Sequence, residues 1–326
     1  MNRFGTGFRI EIWGASHTPR LGIRIEGIPA GVELSPADFE RDILWRKAGA
    51  SGTTMRHESD IPVICGGVSD GITTGQPVEI SFANEDVRSQ DYETFSHHPR
   101  PSHADFVARV KYGDNVDSRG GGIFSGRMTL PLVAAGVVAK KLCPQFVFAT
   151  SVVEIGGSRN EADFGRIVAD AAAAGDSVGG VVECSVSGVP VGLGEPFFDS
   201  AESIISHLLF AIPAVKGVEF GSGFEGVRLR GSERNDCIIN AQGGTLSNNE
   251  GGIVGGITNG NNVVVRVAIK PTPSIAREQP TYDFATGRIA PLSIKGRHDA
   301  CIVLRAGVVV ESVVAIALAD LMLQRV

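Results

Sequence analysis

Apolar residues recur at helical spacing in several stretches of the chain. In the first, Ser35 can cap a helix and Pro36 suits its first turn. Phe39, Ile43 and Leu44 would then share one face. The same spacing recurs near the C-terminus, in a long apolar run. The pattern predicts helices over residues 35–47, 129–142, 162–174, 201–211 and 307–325.

Apolar and β-branched runs between these helices predict strands. Residues 76–82 alternate between apolar and polar, and residues 10–13, 179–186 and 262–270 are rich in Val and Ile. Because strands and helices mix along the chain, the pattern favours either an α/β or an α+β fold. We find no linker, low-complexity tract or repeat of 20–50 residues. Residues 1–326 are therefore predicted to form a single domain, although the length alone would suggest about two.

Glycine is the unusual component of the composition. It contributes 42 of the 326 residues, about twice the usual share of about 7%. The glycines have no period of three, which excludes collagen, and their Val, Ile and Ala neighbours disfavour disorder. The excess indicates either many tight turns or backbone that lies close to a ligand.

Charge and cysteine content narrow the classes of function. Lys and Arg total 30 against 36 Asp and Glu, a net charge of -6, which disfavours a general nucleic-acid coat but leaves room for a local basic pocket. The five cysteines are odd in number and lack metal-ligand spacing, so we expect buried thiols in a reducing compartment. The N-terminus lacks a signal-peptide pattern, and Glu311 interrupts the longest apolar run. These features predict a cytoplasmic protein that binds neither nucleic acid nor membrane.

Three segments concentrate His and Arg. His17 follows the strand at 10–13, either aimed into a cleft or exposed in a surface loop. Arg46 and Arg56 flank a loop of small residues that either folds over an anion or is a solvated loop. In the segment 97–105, prolines stiffen a backbone that carries His103 and Arg100. We expect no metal there, because neither an H-E-x-x-H motif nor cysteine partners are present.

Two further regions concentrate glycine. Residues 117–127 lead into the helix at 129, so their backbone N–H groups could hold a phosphate or carboxylate, or the segment could be a plain flexible turn. It matches neither standard nucleotide-binding loop. Paired glycines at 251–260 allow either close approach to a flat ring system or tight strand packing. Residues 270–274 and 296–299 follow them and add Lys, Arg, His and Asp.

Together, the order and spacing of these segments resemble the chorismate synthase family over nearly the whole chain, from residue 14 to the terminal helix. The most specific matches are Arg100-Pro-Ser-His103-Ala-Asp105, Lys111-Tyr-Gly113, Asp117-Ser-Arg119-Gly-Gly-Gly122, Val215-Lys-Gly-Val-Glu-Phe-Gly221, Gly251-Gly-Ile-Val-Gly-Gly-Ile257, Lys270-Pro-Thr-Pro-Ser274 and Gly296-Arg-His-Asp299.

The resemblance implies an α+β fold, a β-α-β sandwich with helices packed between outer antiparallel sheets. It also implies the 1,4-anti elimination of phosphate from 5-enolpyruvylshikimate 3-phosphate to give chorismate, in aromatic amino acid biosynthesis. The substrate is a small anionic molecule, and the reaction needs reduced FMN without net redox change. NADPH is a candidate reductant, but because no extra domain is visible we favour reduced FMN supplied from elsewhere. The implied assembly is a homotetramer.

The resemblance also assigns residues. His17 would protonate or stabilise the departing phosphate, His103 would protonate the reduced flavin or hold it protonated, and Asp299 would act near flavin N5. The substrate anions would be clamped by Arg46, Arg56, Arg100, Arg127 and Arg297. A nicotinamide site would involve Arg46. FMN would lie along Ile123, Phe124, Ser125, Pro213, Ala214, Gly255, Lys270, Pro271, Thr272, Pro273, Ser274 and Arg297.

The chain departs from the family pattern near the expected site. Ala15 stands where the family usually has Glu, the loop at 51–54 lacks an Arg, and Ile123 and Phe124 replace Arg and Ser. Three hypotheses remain: a working but divergent chorismate synthase, a related FMN-dependent lyase on a similar phosphorylated substrate, and a non-catalytic flavin- or anion-binding paralogue. Retention of His17, His103 and Asp299 favours the first.

Overall fold

The computed structural model describes residues 2–47, 49, 52–53, 58–85, 94–113, 117, 119–294 and 298–325. Its helices are α1 (Glu40–Arg46), α2 (Asp105–Tyr112), α3 (Thr129–Leu142), α4 (Glu161–Ala173), α5 (Ala201–Leu209), α6 (Gly231–Arg234) and α7 (Gly307–Gln324). Its strands are β1 (Arg3–Phe4), β2 (Arg9–Trp13), β3 (Arg20–Glu26), β4 (Ala30–Glu33), β5 (Val63–Gly66), β6 (Val68–Ser69), β7 (Ile72–Thr74), β8 (Val78–Ala83), β9 (Val147–Ile155), β10 (Gly180–Ser187), β11 (Val215–Phe220), β12 (Ile253–Val254), β13 (Ile257–Thr258), β14 (Val263–Ile269), β15 (Gln279–Asp283) and β16 (Arg288–Leu292).

Two helices form the middle layer of the fold. α3 packs against α7 on one side and against β2, β3 and β8 on the other, whereas α7 packs against β9 and β10. The helices approach closely, because a Cβ atom on Gly136 would come within 2.3 Å of the Ser312 Cβ. All but the last three residues of each helix are buried, as their Val-, Ala- and Leu-rich sequences require.

Each outer layer is an antiparallel sheet. One sheet has the strand order β1-β2-β3-β8-β5, and the other has the order β11-β14-β10-β9. Burial in β14 alternates, so that Val263, Val265 and Val267 point into the core. The α+β sandwich implied by the resemblance is therefore confirmed, with the helical layer between the two sheets.

Each helix and strand that the hydrophobic pattern predicted is present, although α2 and strands such as β9 were not predicted and one side chain points the other way. α3 has the predicted bounds, and Ser35 precedes a 3-10 turn (Pro36–Phe39) that continues into α1. Phe39 and Ile43 are buried, but Leu44 is 71% exposed. The prediction for Leu44 is wrong because adjacent residues are about 100° apart around a helix, so Leu44 turns away from the core.

The terminal helix α7 is long and apolar enough to cross a membrane by length and composition, and 83% of that window is buried inside the fold. Its Glu311 accepts a 2.5 Å bond from the Lys140 ammonium group, which also donates to Asp42 at 2.7 Å. α7 is therefore the central core helix of this fold.

The expectation of buried thiols holds for some of the cysteines. Cys143, Cys184 and Cys301 are buried, whereas Cys65 and Cys237 are exposed, and all five are free thiols. Burial raises the pKa of the Cys143 thiol to about 11. The buried thiols therefore stay protonated and serve as packing groups.

Candidate active site

A cavity of about 660 Å³ brings together most of the residues that the resemblance singled out. Its volume is in the range of small-molecule sites. The described residues that line it include seven Lys and Arg side chains but only three carboxylates, those of Glu58, Asp60 and Asp299. Such a surplus of positive charge suits a ligand with several negative charges.

Arg46 and Arg127 form the wall on the side of α1 and α3. Arg127 donates to Asp60, to Asn84 Oδ1 at 3.0 Å and to the Ala83 carbonyl at 3.0 Å. Arg46, the last residue of α1, donates to Thr129 Oγ1 at 3.0 Å and to the Gly126 carbonyl at 3.1 Å. These bonds hold both guanidinium groups at the cavity wall.

Burial and the nearby Arg305 lower the pKa of Arg46 to about 9. The carboxylate of Asp60, 3.5 Å from Arg46 Nη1, raises the pKa of Arg46 and partly offsets this effect. Arg46 therefore stays charged at neutral pH, in surroundings where a further anion would be favourable.

Arg100 and His103 meet on one buried carboxylate. Arg100 donates to Asp105 from its backbone N–H at 3.0 Å and from Nε and Nη2 at 2.8 and 2.7 Å. His103 Nδ1 lies 2.7 Å from Asp105 Oδ1. Arg100 Nη1 also donates to Ser274 Oγ at 3.1 Å, which ties this segment to residues 270–274.

Asp299 is buried and faces a cation that the sequence did not single out. Arg305 donates from Nε to Asp299 Oδ1 at 3.0 Å and from Nη2 to Oδ2 at 2.7 Å. Such a two-point pair fixes the carboxylate plane. Both residues line the cavity. The signal that could have found Arg305 is its position as a lone cation within the apolar run that leads into α7.

His17 lies against the glycine-rich segment. A Cβ atom on Gly120, which lines the cavity, would come within 2.0 Å of His17 Cε1. Gly120, Gly121 and Gly122 all have positive φ angles, of 59°, 82° and 54°. Glycine is needed here both for the backbone conformation and for the close approach of the imidazole ring.

Strained backbone clusters at the same cavity. Asp60, Ser102 and Ala214 line it and have positive φ angles of 52°, 56° and 74°. Non-glycine residues in this conformation cost free energy and collect at functional sites. The cavity therefore has the strain expected of a site that must hold its groups in fixed directions.

The expected flavin segments converge only in part. Residues from three separate segments line the cavity: Ile123, Phe124, Ser125, Pro213, Ala214, Lys270, Thr272, Pro273 and Ser274. Among the described residues, Pro271, Gly255 and His17 are not part of the lining. Gly255 and Gly256 form the turn between β12 and β13, with φ angles of 62° and 89°, as a two-residue hairpin turn requires. Arg56 and Arg297 lie outside the described residues.

Other residues of the site were missed by sequence reasoning. The carboxylates of Glu58 and Asp60 pair with Arg127 across the wall, and Lys216 on β11 adds a further cation. Glu58 and Asp60 lie close to Arg56 in the sequence, and Lys216 lies within the matched block 215–221, but none of them was assigned a role. No group of three or more His, Cys, Asp or Glu residues within the described ranges is arranged to hold a metal ion.

The chain is similar to known chorismate synthases over nearly its whole length. The chorismate synthase family model matches residues 8–323. The chorismate synthase of Chitinophaga pinensis is 54% identical over 324 residues, which cover 99% of this chain and 97% of that protein. The chorismate synthase of Korarchaeum cryptofilum is 45% identical and covers 97% and 96%, respectively.

A solved structure gives the same result. It is titled as a crystal structure of chorismate synthase and superposes with a TM-score of 0.76 at 27% identity, over 98% of this chain and 93% of that one. Sequence and fold therefore agree over nearly the entire length, and the chain belongs to the chorismate synthase family.

Proposed function

We propose that the cavity lined by His103, Asp299 and the buried arginines is where this carbon–oxygen lyase converts 5-enolpyruvylshikimate 3-phosphate into chorismate and phosphate. The observation that carries this is the excess of Lys and Arg over carboxylates in one cavity. A substrate with two carboxylates and a phosphate complements that charge. A related lyase and a non-catalytic paralogue are not favoured by the family assignment.

Arg46, Arg100 and Arg127 would bind the substrate anions. Each guanidinium is held by a hydrogen bond that it donates to a protein acceptor: Thr129, Asp105 and Asn84, respectively. A guanidinium group that is already fixed by hydrogen bonds loses little conformational freedom when it binds a carboxylate or phosphate, and it fixes the substrate in one orientation. The expected contributions of Arg56 and Arg297 stay predictions.

Proton transfer would involve His17, His103 and Asp299. His17, buried against Gly120, would protonate or stabilise the departing phosphate. Asp299, an acceptor held by Arg305, would take part in removing the substrate proton whose loss accompanies the departure of phosphate. His103 would hold or deliver a proton at the cofactor side of the cavity.

The residues present fit FMN. Ile123, Phe124, Pro213 and Pro273 offer apolar surface for a flat ring, and Lys270 with Lys216 offers positive charge for its phosphate. When bound, reduced FMN supplies an electron-rich ring that assists loss of phosphate without net redox change. We assign Arg46, held at the cavity wall by Thr129 and Gly126, to anion binding. We propose that reduced FMN comes from elsewhere.

The assembly and location are proposals too. We propose a homotetramer in the cytoplasm whose subunits each consist of one domain, residues 1–326. Phe197 and Phe198 are 86% and 91% exposed, and burial against a second copy would remove this apolar surface from water. Light scattering after size-exclusion chromatography tests this: Phe197→Ser with Phe198→Ser should shift the mass towards smaller species, and a wild-type monomer would contradict it.

The function is tested by an anaerobic assay with chemically reduced FMN and 5-enolpyruvylshikimate 3-phosphate. Chorismate absorbance and phosphate release should rise together. Oxidised FMN alone is the matched control, and oxidised FMN with NADPH tests whether the protein reduces its own flavin. Binding of reduced FMN without either product would contradict the proposed function.

A further inference from the structure

The carboxylate of Asp105 serves two groups that face the cavity. Its Oδ2 accepts from the backbone N–H and Nε of Arg100, and its Oδ1 accepts from Arg100 Nη2 and lies 2.7 Å from His103 Nδ1. We propose that Asp105 is a positioning residue that holds a proton on His103 Nδ1 and thereby directs Nε2 of the ring to the ligand. This inference deepens the proposed function, because it rests on a proton-handling role for His103.

The hydrogen-bond geometry selects one tautomer of His103. An ionised carboxylate only accepts hydrogen bonds, so an imidazole nitrogen 2.7 Å from it must carry the proton. Burial by itself would raise the pKa of the Asp105 carboxyl, but hydrogen bonds from Arg100 and His103 outweigh it and hold the pKa well below its usual range. Asp105 is therefore ionised at neutral pH and acts as the acceptor.

Arg100 supports the same assignment. Its Nη2 lies 3.0 Å from His103 Nδ1, but it already donates to Asp105 Oδ1 at 2.7 Å. If Nδ1 instead accepted from Arg100, its lone pair and that of Asp105 Oδ1 would face each other at 2.7 Å, which is repulsive. With the proton on Nδ1, both donors converge on one oxygen, as charge-assisted networks prefer.

The second ring nitrogen then faces the cavity. His103 and Gly121 both line it, and a Cβ atom on Gly121 would lie 3.7 Å from His103 Nε2. In the neutral ring with Nδ1 protonated, Nε2 is the nitrogen that can take a proton and return it. Exchange with a bound molecule would therefore occur at Nε2.

Local backbone fixes this arrangement. Ser102, immediately before His103, has a φ angle of 56°, which turns the chain sharply between Arg100 and α2. Asp105 is the first residue of α2, where the helix dipole favours a negative charge. The order Arg100, His103, Asp105 thus places an anion-binding group, a proton-handling group and their shared acceptor within six residues.

Nitrogen-15 NMR of histidine-labelled protein tests the tautomer directly, without substrate. The chain has seven His residues, and a His103→Gln spectrum assigns the signals of His103. In the neutral form of the ring, we expect the proton on Nδ1 in the wild type and a shift towards Nε2 in Asp105→Asn. Asp320→Asn is the control, because Asp320 is also buried but accepts from the N–H groups of Thr6, Gly7 and Phe8. A wild-type proton on Nε2, or an unchanged tautomer in Asp105→Asn, would overturn the proposal.

A double-mutant cycle tests the consequence for catalysis. We expect Asp105→Asn to lower kcat by about 10–100-fold, the usual effect of losing an orienting partner. In the His103→Gln background the same substitution should lower kcat little further, because its effect passes through His103. Effects on substrate KM through Arg100 should persist in both backgrounds. Fully additive losses in kcat would overturn the proposal.

The two tests separate this inference from the proposed function. A wild-type protein that carries the proton on Nδ1 but makes no chorismate would contradict the function and leave the positioning role intact. An active wild type with the proton on Nε2 would do the reverse. If Asp105→Asn folds poorly, Asp105→Glu keeps the charge but moves the oxygens, and the same cycle applies.

Discussion

Ion pairs occur in two regions of this fold, a packed helix junction and the wall of the cavity, and they have different roles there. Between α1, α3 and α7, Lys140 is bonded to Asp42 and Glu311, at 2.7 and 2.5 Å, in a packed helix junction. Around the cavity, Arg and Lys outnumber carboxylates seven to three among the described lining residues. In the junction the negative charge matches or exceeds the positive charge, whereas in the cavity positive charge is left over.

The difference lies in what adjoins the ion pairs. At the helix junction, each charge faces another side chain, so the group can only stabilise or destabilise the fold. At the cavity, Arg46 and Arg127 are held by protein acceptors on one side and border open volume on the other. The comparison predicts that substitutions at the junction change stability, and that substitutions at the cavity change binding and turnover.

The largest effect is expected at His17. His17→Ala should lower kcat by about 10²–10⁴-fold, the usual range for loss of a general acid, with little change in the unfolding free energy. Steady-state kinetics and urea unfolding measure the two quantities. The control is His207→Ala, whose ring packs edge-on against Phe4 away from the cavity. Equal kcat in both variants would remove the role of His17.

At the junction, Lys140→Met should lower the unfolding free energy by about 3–5 kcal/mol, because the buried carboxylates of Asp42 and Glu311 lose the cation that they share. Substrate KM should not change. Adding Asp42→Asn and Glu311→Gln removes the uncompensated charges and should restore most of the stability. A higher KM with unchanged stability in Lys140→Met would show that the junction, like the cavity, contributes to substrate binding, which would contradict the comparison.

At the cavity, Arg46→Lys keeps the charge but loses the planar guanidinium group that donates to both Thr129 and Gly126. Hydrogen bonds of charged groups contribute about 1.5–3 kcal/mol, so we expect substrate KM to rise by about 10–100-fold. The matched control is Arg41→Lys on the same helix, at a side chain that is 84% exposed. If both variants had wild-type KM, Arg46 would not bind substrate, and its role would be limited to stabilising the fold.

The smallest effect concerns pH. Arg100 and His103 hold the pKa of Asp105 well below its usual value in the folded state, while in the unfolded chain it is about 3.9. A depressed carboxyl pKa stabilises the fold above about pH 4, and this contribution is lost as the pH falls further. The stability difference between wild type and Asp105→Asn, from urea unfolding, should therefore be constant near neutrality and shrink below about pH 4. A difference that grew on acidification would contradict the assignment.

The elements that local patterns predicted are present, and several residues that the resemblance singled out line one cavity. α3 has the predicted bounds, and His103, Arg100 and Asp299 reach one cavity. The pattern failed where one residue decides the direction of a side chain, as at Leu44. The structure accounts for two of the glycines: Gly120 allows the close approach of the His17 ring, and Gly255 forms a hairpin turn, whereas close approach to a ligand stays a prediction.

The sequence by itself determined the helices, the strands and which kinds of groups the chain carries, because periodicity and motif spacing are properties of neighbouring residues. Only the tertiary structure decided which charges meet. Arg127 pairs with Asp60 across 67 positions, and Arg100 reaches Ser274 across 174. Such partners depend on how distant segments pack around one helical layer, and that packing decides whether a cation is bonded to carboxylates in a packed junction, as Lys140 is, or also borders open volume, as Arg46 does beside Asp60.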